Sequence, residues 1–355
     1  MVFQNTLQGL VEQCTFTFEH HTDGVAAVTI DTAKPAKKGT LCNQILVKKS
    51  DIRTKKSNTG IGVAIYGCMH ATLENLTIAG LDTGILLSPT TEPQNNTSLI
   101  TIFDCNVGSH LAGLKLLPKS SSGSGLREVR VHGSSFTQST EATYTGPGIE
   151  IALPSGGSNS QVDTVKLIGV TSQGWKGYGL QVSGGQNIQV IGGTYAGNGA
   201  NHAGIAITGT AKNVSMVGVD QPATYPGATA QKAALHVSGN PTSVLSKDCT
   251  MLGYSGSPLD ITGSPPLLVI NAAGYNDVNT RLNAGDAPQT PTSASTSTTP
   301  YFGPSSVNFA HSKELKVHIS GKGYMMKFGS LYLPRPLDSI YFEPEKPSDC
   351  AWLGK

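Results

Sequence analysis

At 355 residues, with a formal net charge of +2 and 14% charged side chains, the chain is long, nearly neutral and sparsely charged. Its charged fraction lies well below the roughly one quarter usual in globular domains, yet 38% apolar residues exclude general disorder. It has no basic run long enough for a nucleic-acid stripe and no apolar span of about 18 residues, so neither nucleic-acid binding nor membrane insertion is expected.

The N-terminal MVFQNTLQGLVEQ lacks the charged-then-apolar order of a secretory leader, which fits a chain not exported by that route or a fragment. Phe3, Leu7, Leu10 and Val11 have helical spacing, whereas Cys14-Thr15-Phe16-Thr17-Phe18 alternates. Residues 1–23 are therefore either a capping helix or the first coil of a β structure. Next come Lys34, Lys37, Lys38, Lys48, Lys49, Lys55 and Lys56, read as a solvated cluster that protects strand edges.

From there an internal repeat takes over. A small residue followed by alternating apolar residues recurs at Gly60-Ile61-Gly62-Val63, Gly84-Ile85-Leu86-Leu87, Gly113-Leu114-Lys115-Leu116, Gly148-Ile149-Glu150-Ile151, Gly179-Leu180-Gln181-Val182 and Gly204-Ile205-Ala206-Ile207, with a weaker copy at Ala234-Leu235-His236-Val237. Each copy carries a second short strand, such as Val129-Arg130-Val131 or Ile188-Gln189-Val190, and a shorter third run, such as Ser134-Ser135-Phe136. One unit of three short strands cannot bury its apolar side alone. Stacked units can, each strand bonding its equivalents about 4.8 Å above and below. The spacing predicts a right-handed parallel β-helix over residues 24–285, with extra length in the polar loops Ser88–Ser98, Pro118–Gly125, Gln138–Pro147, Pro154–Gln161 and Gln221–Lys232. Scarce NG and DG turns argue against a sandwich, and the short repeats argue against a propeller.

Cys14, Cys42, Cys68, Cys105, Cys249 and Cys350 show neither CxxC spacing nor His pairing; Cys42, Cys68 and Cys105 read as small core residues, one per repeat. The repeat fades after Asp260-Ile261. Residues 286–300 (DAPQTPTSASTSTTP) are a linker by composition. Residues 301–355, with runs at Val307–Phe309, Leu315–Ile319, Tyr324–Phe328 and Ile340–Phe342, form a small C-terminal β-domain.

The GI-x-I strand followed by an N-x-x-I-x-G-type strand resembles the pectate-lyase-like β-helix superfamily. The stretch Val269-Ile270-Asn271-Ala272-Ala273-Gly274-Tyr275-Asn276, the Thr/Pro/Ser linker, Tyr301-Phe302-Gly303, Val317-His318-Ile319-Ser320-Gly321 and the closing Trp352-Leu353-Gly354 are similar to the ends of phage and prophage tail spikes and fibres. The virion-attachment segment and the Gly-rich opening strand usual in those proteins are missing. The resemblance implies a homotrimer in the virion tail or extracellular space, joined to other virion tail proteins and binding host-surface polysaccharide. A polysaccharide hydrolase on the same scaffold and a purely structural virion decoration are the alternatives.

Aligning the repeats gives two outward files: Gly62, Leu86, Lys115, Glu150, Gln181, Ala206, His236, and Thr77, Thr101, Arg130, Lys166, Gln189, Ser215. Lys115 should neighbour Glu150, and Arg130 should neighbour Lys166. Together with Gln181 and Gln189 they outline a saccharide or acidic-polymer groove, against the plainer reading of a solvated ladder with one weak ion pair. Trp175, Tyr178 and Tyr195 are candidate sugar-stacking rings, with packing at a coil corner the alternative. Glycoside hydrolysis needs two carboxylates about 5–9.5 Å apart; Glu150 and Asp163 are the tentative pair. The acidic cluster that a calcium-dependent lyase would need is missing, and neither a metal nor a cofactor is expected.

Overall fold

The computed structural model describes residues 1–19, 24–32, 42–89, 97–121, 125–138, 144–226, 228–255 and 257–262, with the backbone of strands thereafter and no side chains for 55–59 or beyond 262. Parallel strands stack into a right-handed β-helix. One sheet runs through ten strands in sequence order, from Gly9–Glu12 to Leu267–Ala273. The other combines the first and third faces of the coil, which merge through the long strands Asp51–Ile65, Thr77–Leu87 and Asn106–Leu116. The N-terminus forms strands at Val2–Gln4, Gly9–Glu12 and Thr15–Phe18, so the segment with helical spacing builds the first coil instead. Val11, the most buried of its apolar residues, joins the core column beneath Val47 and Leu73, and that contact outweighs any helical preference.

Period-2 alternation does what the repeat requires. On the second face Ile100, Ile102, Val129, Val131, Val165, Leu167, Ile188 and Val190 are fully buried, as are Ile85, Leu87, Leu114, Leu116, Ile149 and Ile151 on the first. The third face completes the core with Ile52, Ile78, Val107 and Phe136 in register.

The repeat glycine has a steric cause. At Gly62, Gly84, Gly113 and Gly148 a third-face side chain fills the place of a β-carbon, and at Gly179 and Gly204 the side chains of Asn198 and Gln231 do; at Gly113 that atom would stand 2.7 Å from Phe136 Cδ1 and 2.9 Å from the Gly148 carbonyl. Pairing of Val63 with Ile85 shows that the true equivalent of Gly84 is Gly62, so Gly60 does not belong to the column.

The bend from the second to the third face rests on one left-handed residue per coil. Gln13, Lys49, Asn75, Asp104, Gly133, Gly169, Gly192, Gly218 and Asp248 all have φ between 50° and 63°. The residue after it lies under the bend, where Cys14, Cys105 and Cys249 donate to the carbonyl two residues back, as Ser50 and Ser134 do through oxygen. Cys105 thus belongs with Cys14 and Cys249, while Cys42 and Cys68 form a separate column ahead of the second face.

Past the helix, strands pair antiparallel: Ser295–Ser297, Ile340–Glu343, Leu315–Ile319 and Lys322–Met326 in one sheet, and Gly329–Tyr332, Ser306–Ala310 and Ala351–Gly354 in another. Ser295–Ser297 lies inside the compositional linker yet forms an edge strand there. Gly274-Tyr275-Asn276, Cys350, the lysines at 34, 37 and 38, and the side chains of Lys55 and Lys56 lie outside the described residues. No helix of the described residues is long and apolar enough to cross a membrane.

Candidate functional site

The first-face outward file is Ala64, Leu86, Lys115, Glu150, Gln181, Ala206, His236 and Asp260, each the register partner of the next. Ala64 therefore stands where Gly62 was expected, and the file extends one coil further, to Asp260. Lys115 Nζ meets Glu150 Oε2 at 2.8 Å, with both side chains about three-quarters covered.

On the second face Thr101, Arg130, Lys166, Gln189 and Ser215 are in register, but the residue before them is Thr72, not Thr77. Thr77 opens a third-face stretch paired with Asn106. The charge of Arg130 is met weakly by Glu128 at 3.9 Å, both exposed. Asp163 also lies on this second sheet, whereas Glu150 is on the first, so the two carboxylates do not form a pair across one groove. Asp163 instead accepts hydrogen bonds from Gln186 Nε2 (3.0 Å), Asn187 Nδ2 (2.8 Å) and Thr164 Oγ1 (3.1 Å). Burial pushes its pKa up, but these donors and the Arg127 charge outweigh burial and hold it below the ordinary value. It is an anchor for the coil.

Two of the three candidate aromatics are core. Ser172 stands in the third-face column between Phe136 and Tyr195, and a serine there leaves a gap. The Trp175 ring packs into this part of the core, its Nε1–H donating to the Phe136 carbonyl at 3.2 Å. Trp175 and Tyr195 are 1% and 0% exposed, so neither presents a face to a sugar. Tyr178 remains at the surface.

Around Tyr178 the first face changes character. Ala203 and Ala233 line a small cleft of about 110 Å³ together with Tyr178, Asn201, Lys232, His236 and Asp260. The Tyr178 ring meets His202 edge-on at 4.7 Å and lies nearly parallel to His236 at 6.1 Å. Asp260 Oδ2 accepts from Lys232 Nζ at 2.7 Å and lies 3.2 Å from His236 Nδ1. Although burial raises the Asp260 pKa, Lys232 and His236 together pull it below the ordinary aspartate range. Burial holds the His202 imidazole below its usual value, with His236 adding to the effect. Tyr178 is pushed up by burial and then by the Asp260 charge.

The loop that delivers Lys232 is held from inside. The Gln231 side chain is buried; it accepts from the Asn198 backbone and side-chain nitrogens and donates to the Tyr195 carbonyl. The Lys232 amide then donates to the His202 carbonyl at 2.8 Å. A half-satisfied network of this kind would be costly, so these bonds fix where Lys232 emerges.

A cleft of this size is well below the 300–1,000 Å³ of pockets that enclose a whole ligand. It has room for a single small group. Among the described residues no group of three His, Cys, Asp or Glu side chains is placed to hold a metal ion. The repeat pattern places His236 in the outward file, but it gives no site role to His202, Lys232 or Asp260. The available signal was Leu259-Asp260-Ile261, one more apolar–polar–apolar strand in the repeat's own pattern.

No protein-family model and no curated protein matches the chain. Among solved structures it is similar to tailspike protein 3 of bacteriophage CBA120, with 12% sequence identity and a TM-score of 0.33, covering 83% of this chain and 59% of that one. The chain therefore spans less than two thirds of that tailspike's length.

Proposed function

We propose that this chain is a phage or prophage tail-associated β-helix, carried in the virion tail as a homotrimer with other tail proteins, whose first face binds a host-surface polysaccharide. The observation that carries the binding role is the cleft itself: an accessible Tyr178 ring beside the carboxylate of Asp260, the ammonium of Lys232 and the amide of Asn201. Sugars place C–H faces on aromatic rings and hydroxyls on charged acceptors and donors, and Gln181 continues polar contacts along the file. Cleavage of the glycan chain by a carboxylate pair is not favoured. Glu150, the other carboxylate of the file, is four registers from Asp260, roughly 19 Å at about 4.8 Å per coil, against the 5–9.5 Å that glycoside hydrolysis requires.

The test is retention of the full chain on a panel of immobilised capsular and O-antigen polysaccharides. The wild-type protein should bind at least one. Tyr178→Ala should weaken that binding about tenfold or more, the scale of losing one anchoring ring. Equal binding by both proteins, or no binding to any glycan, removes the reading.

A further inference from the structure

Three side chains stand in a line that runs out from the cleft: His236 and Asp260 line it, and Ser238 lies beyond its lining. Asp260 Oδ2 lies 3.2 Å from His236 Nδ1, and His236 Nε2 lies 3.0 Å from Ser238 Oγ. The arrangement follows from register. Asp260 is the partner of His236 on the next coil, and Ser238, two residues after His236, points to the same side of the strand. An ionised Asp260 only accepts, so His236 Nδ1 carries the proton that faces it. In a neutral ring Nε2 is then an acceptor, and the Ser238 hydroxyl donates to it. Lys232, on the same carboxylate oxygen, keeps Asp260 charged and in place.

We infer that Ser238, His236 and Asp260 are a nucleophile, base and orienting carboxylate that hydrolyse carboxylic esters, with acylated sugars of the bound glycan as the substrate class. The substrate class rests on the glycan-binding reading; the ester chemistry does not. Ser238 Oγ attacks the acyl carbon while its proton passes to His236 Nε2. The tetrahedral adduct collapses, the bond to the sugar oxygen breaks, and that oxygen leaves with the proton from His236. Water, deprotonated by His236, then attacks the acyl-serine, and Ser238 recovers its proton as the carboxylic acid departs. One ester and one water become one acid and one alcohol.

An ordinary surface hydrogen-bond chain would leave Ser238 as unreactive as any other serine, so reactivity decides the matter. The full chain is treated with a fluorophosphonate probe, the labelled residue is mapped by mass spectrometry, and turnover of p-nitrophenyl acetate is followed in parallel. The wild type should label at Ser238, and turnover should fall on the order of 10³-fold, or to the buffer rate, in Ser238→Ala. A melting curve checks that this partly exposed substitution folds. Asp260→Asn, which keeps the shape, should slow labelling of Ser238 itself. Absence of label on Ser238 in the folded wild type, or equal turnover by Ser238→Ala, overturns the inference. Both probes work without any glycan. Labelling without glycan retention therefore supports the ester chemistry while removing the binding reading, and retention without labelling does the reverse.

Discussion

The second sheet and the cleft-bearing end of the first face are made by the same coils, yet they differ in what stands outside. On the second sheet the outward file from Thr101 to Ser215 carries polar side chains at each level, with Arg130 and Glu128 in a loose, exposed pair. On the first face, alanines at 203 and 233 withdraw bulk, and Tyr178, His202, Lys232, His236 and Asp260 converge on the space. The inward residues are apolar in both regions apart from a few small hydroxyl side chains such as Thr97 and Ser246. The interior therefore sets the fold, and a site arises where outward residues of several coils are brought to one level.

Truncating the two neighbouring aromatics separates core from surface. Trp175→Ala empties the core beside Ser172 and should cost about 3–5 kcal/mol in denaturant unfolding, whereas Tyr178→Ala, at the half-buried rim, should cost much less. Equal losses would mean that Tyr178 is core and the cleft is packing. Next in size, Gly113→Ala forces a β-carbon against Phe136 and the Gly148 backbone and should destabilise by about 1–3 kcal/mol in the same assay.

A smaller effect of opposite sign belongs to the bend. Lys49 holds a left-handed φ of 50° where other coils use glycine. Lys49→Gly should raise the unfolding free energy by up to about 1 kcal/mol, strain relief being partly offset by the greater freedom of the unfolded chain.

The smallest expected effect is acid sensitivity. The folded pKa of Asp260 lies below the ordinary 3.8. Its contribution is thus fully present above that value and is lost as pH falls through the folded pKa. The partly exposed Lys232 pairing limits it to under about 1 kcal/mol. His202, also depressed, leans the same way: its neutral form is favoured in the fold, so stability declines as pH drops below 6.5. Melting curves across this range should flatten in Asp260→Asn, most clearly below pH 4.

Much of the helix was legible in the sequence because burial imposes a period of two on every strand, as in Leu114-Lys115-Leu116 over Ile149-Glu150-Ile151. Register was legible only where the motif was clean. Asp51–Ile65 is a single strand joining two faces, with breaks in its pairing after Arg53 and Asn58, so Gly60 and Gly62 could not be told apart by pattern alone. Thr77 was misplaced for the same reason. Trp175 and Tyr195 lie beside glycines that look like exposed turns, and nothing local signals that Ser172 needs a ring beside it. The cleft was hidden because its residues come from different coils and meet only once those coils are stacked.

The site depends on one adjacency, that of His236 and Asp260 across neighbouring coils. It is tested most directly by oxidising the double variant His236→Cys with Asp260→Cys and mapping disulfides by mass spectrometry. Adjacent parallel strands at about 4.8 Å fall within disulfide reach, whereas Gln181 and His236, two coils apart, do not. A 236–260 crosslink is expected, with none between 181 and 236 in the control Gln181→Cys with His236→Cys. A crosslink in the control and none in the first variant would contradict it.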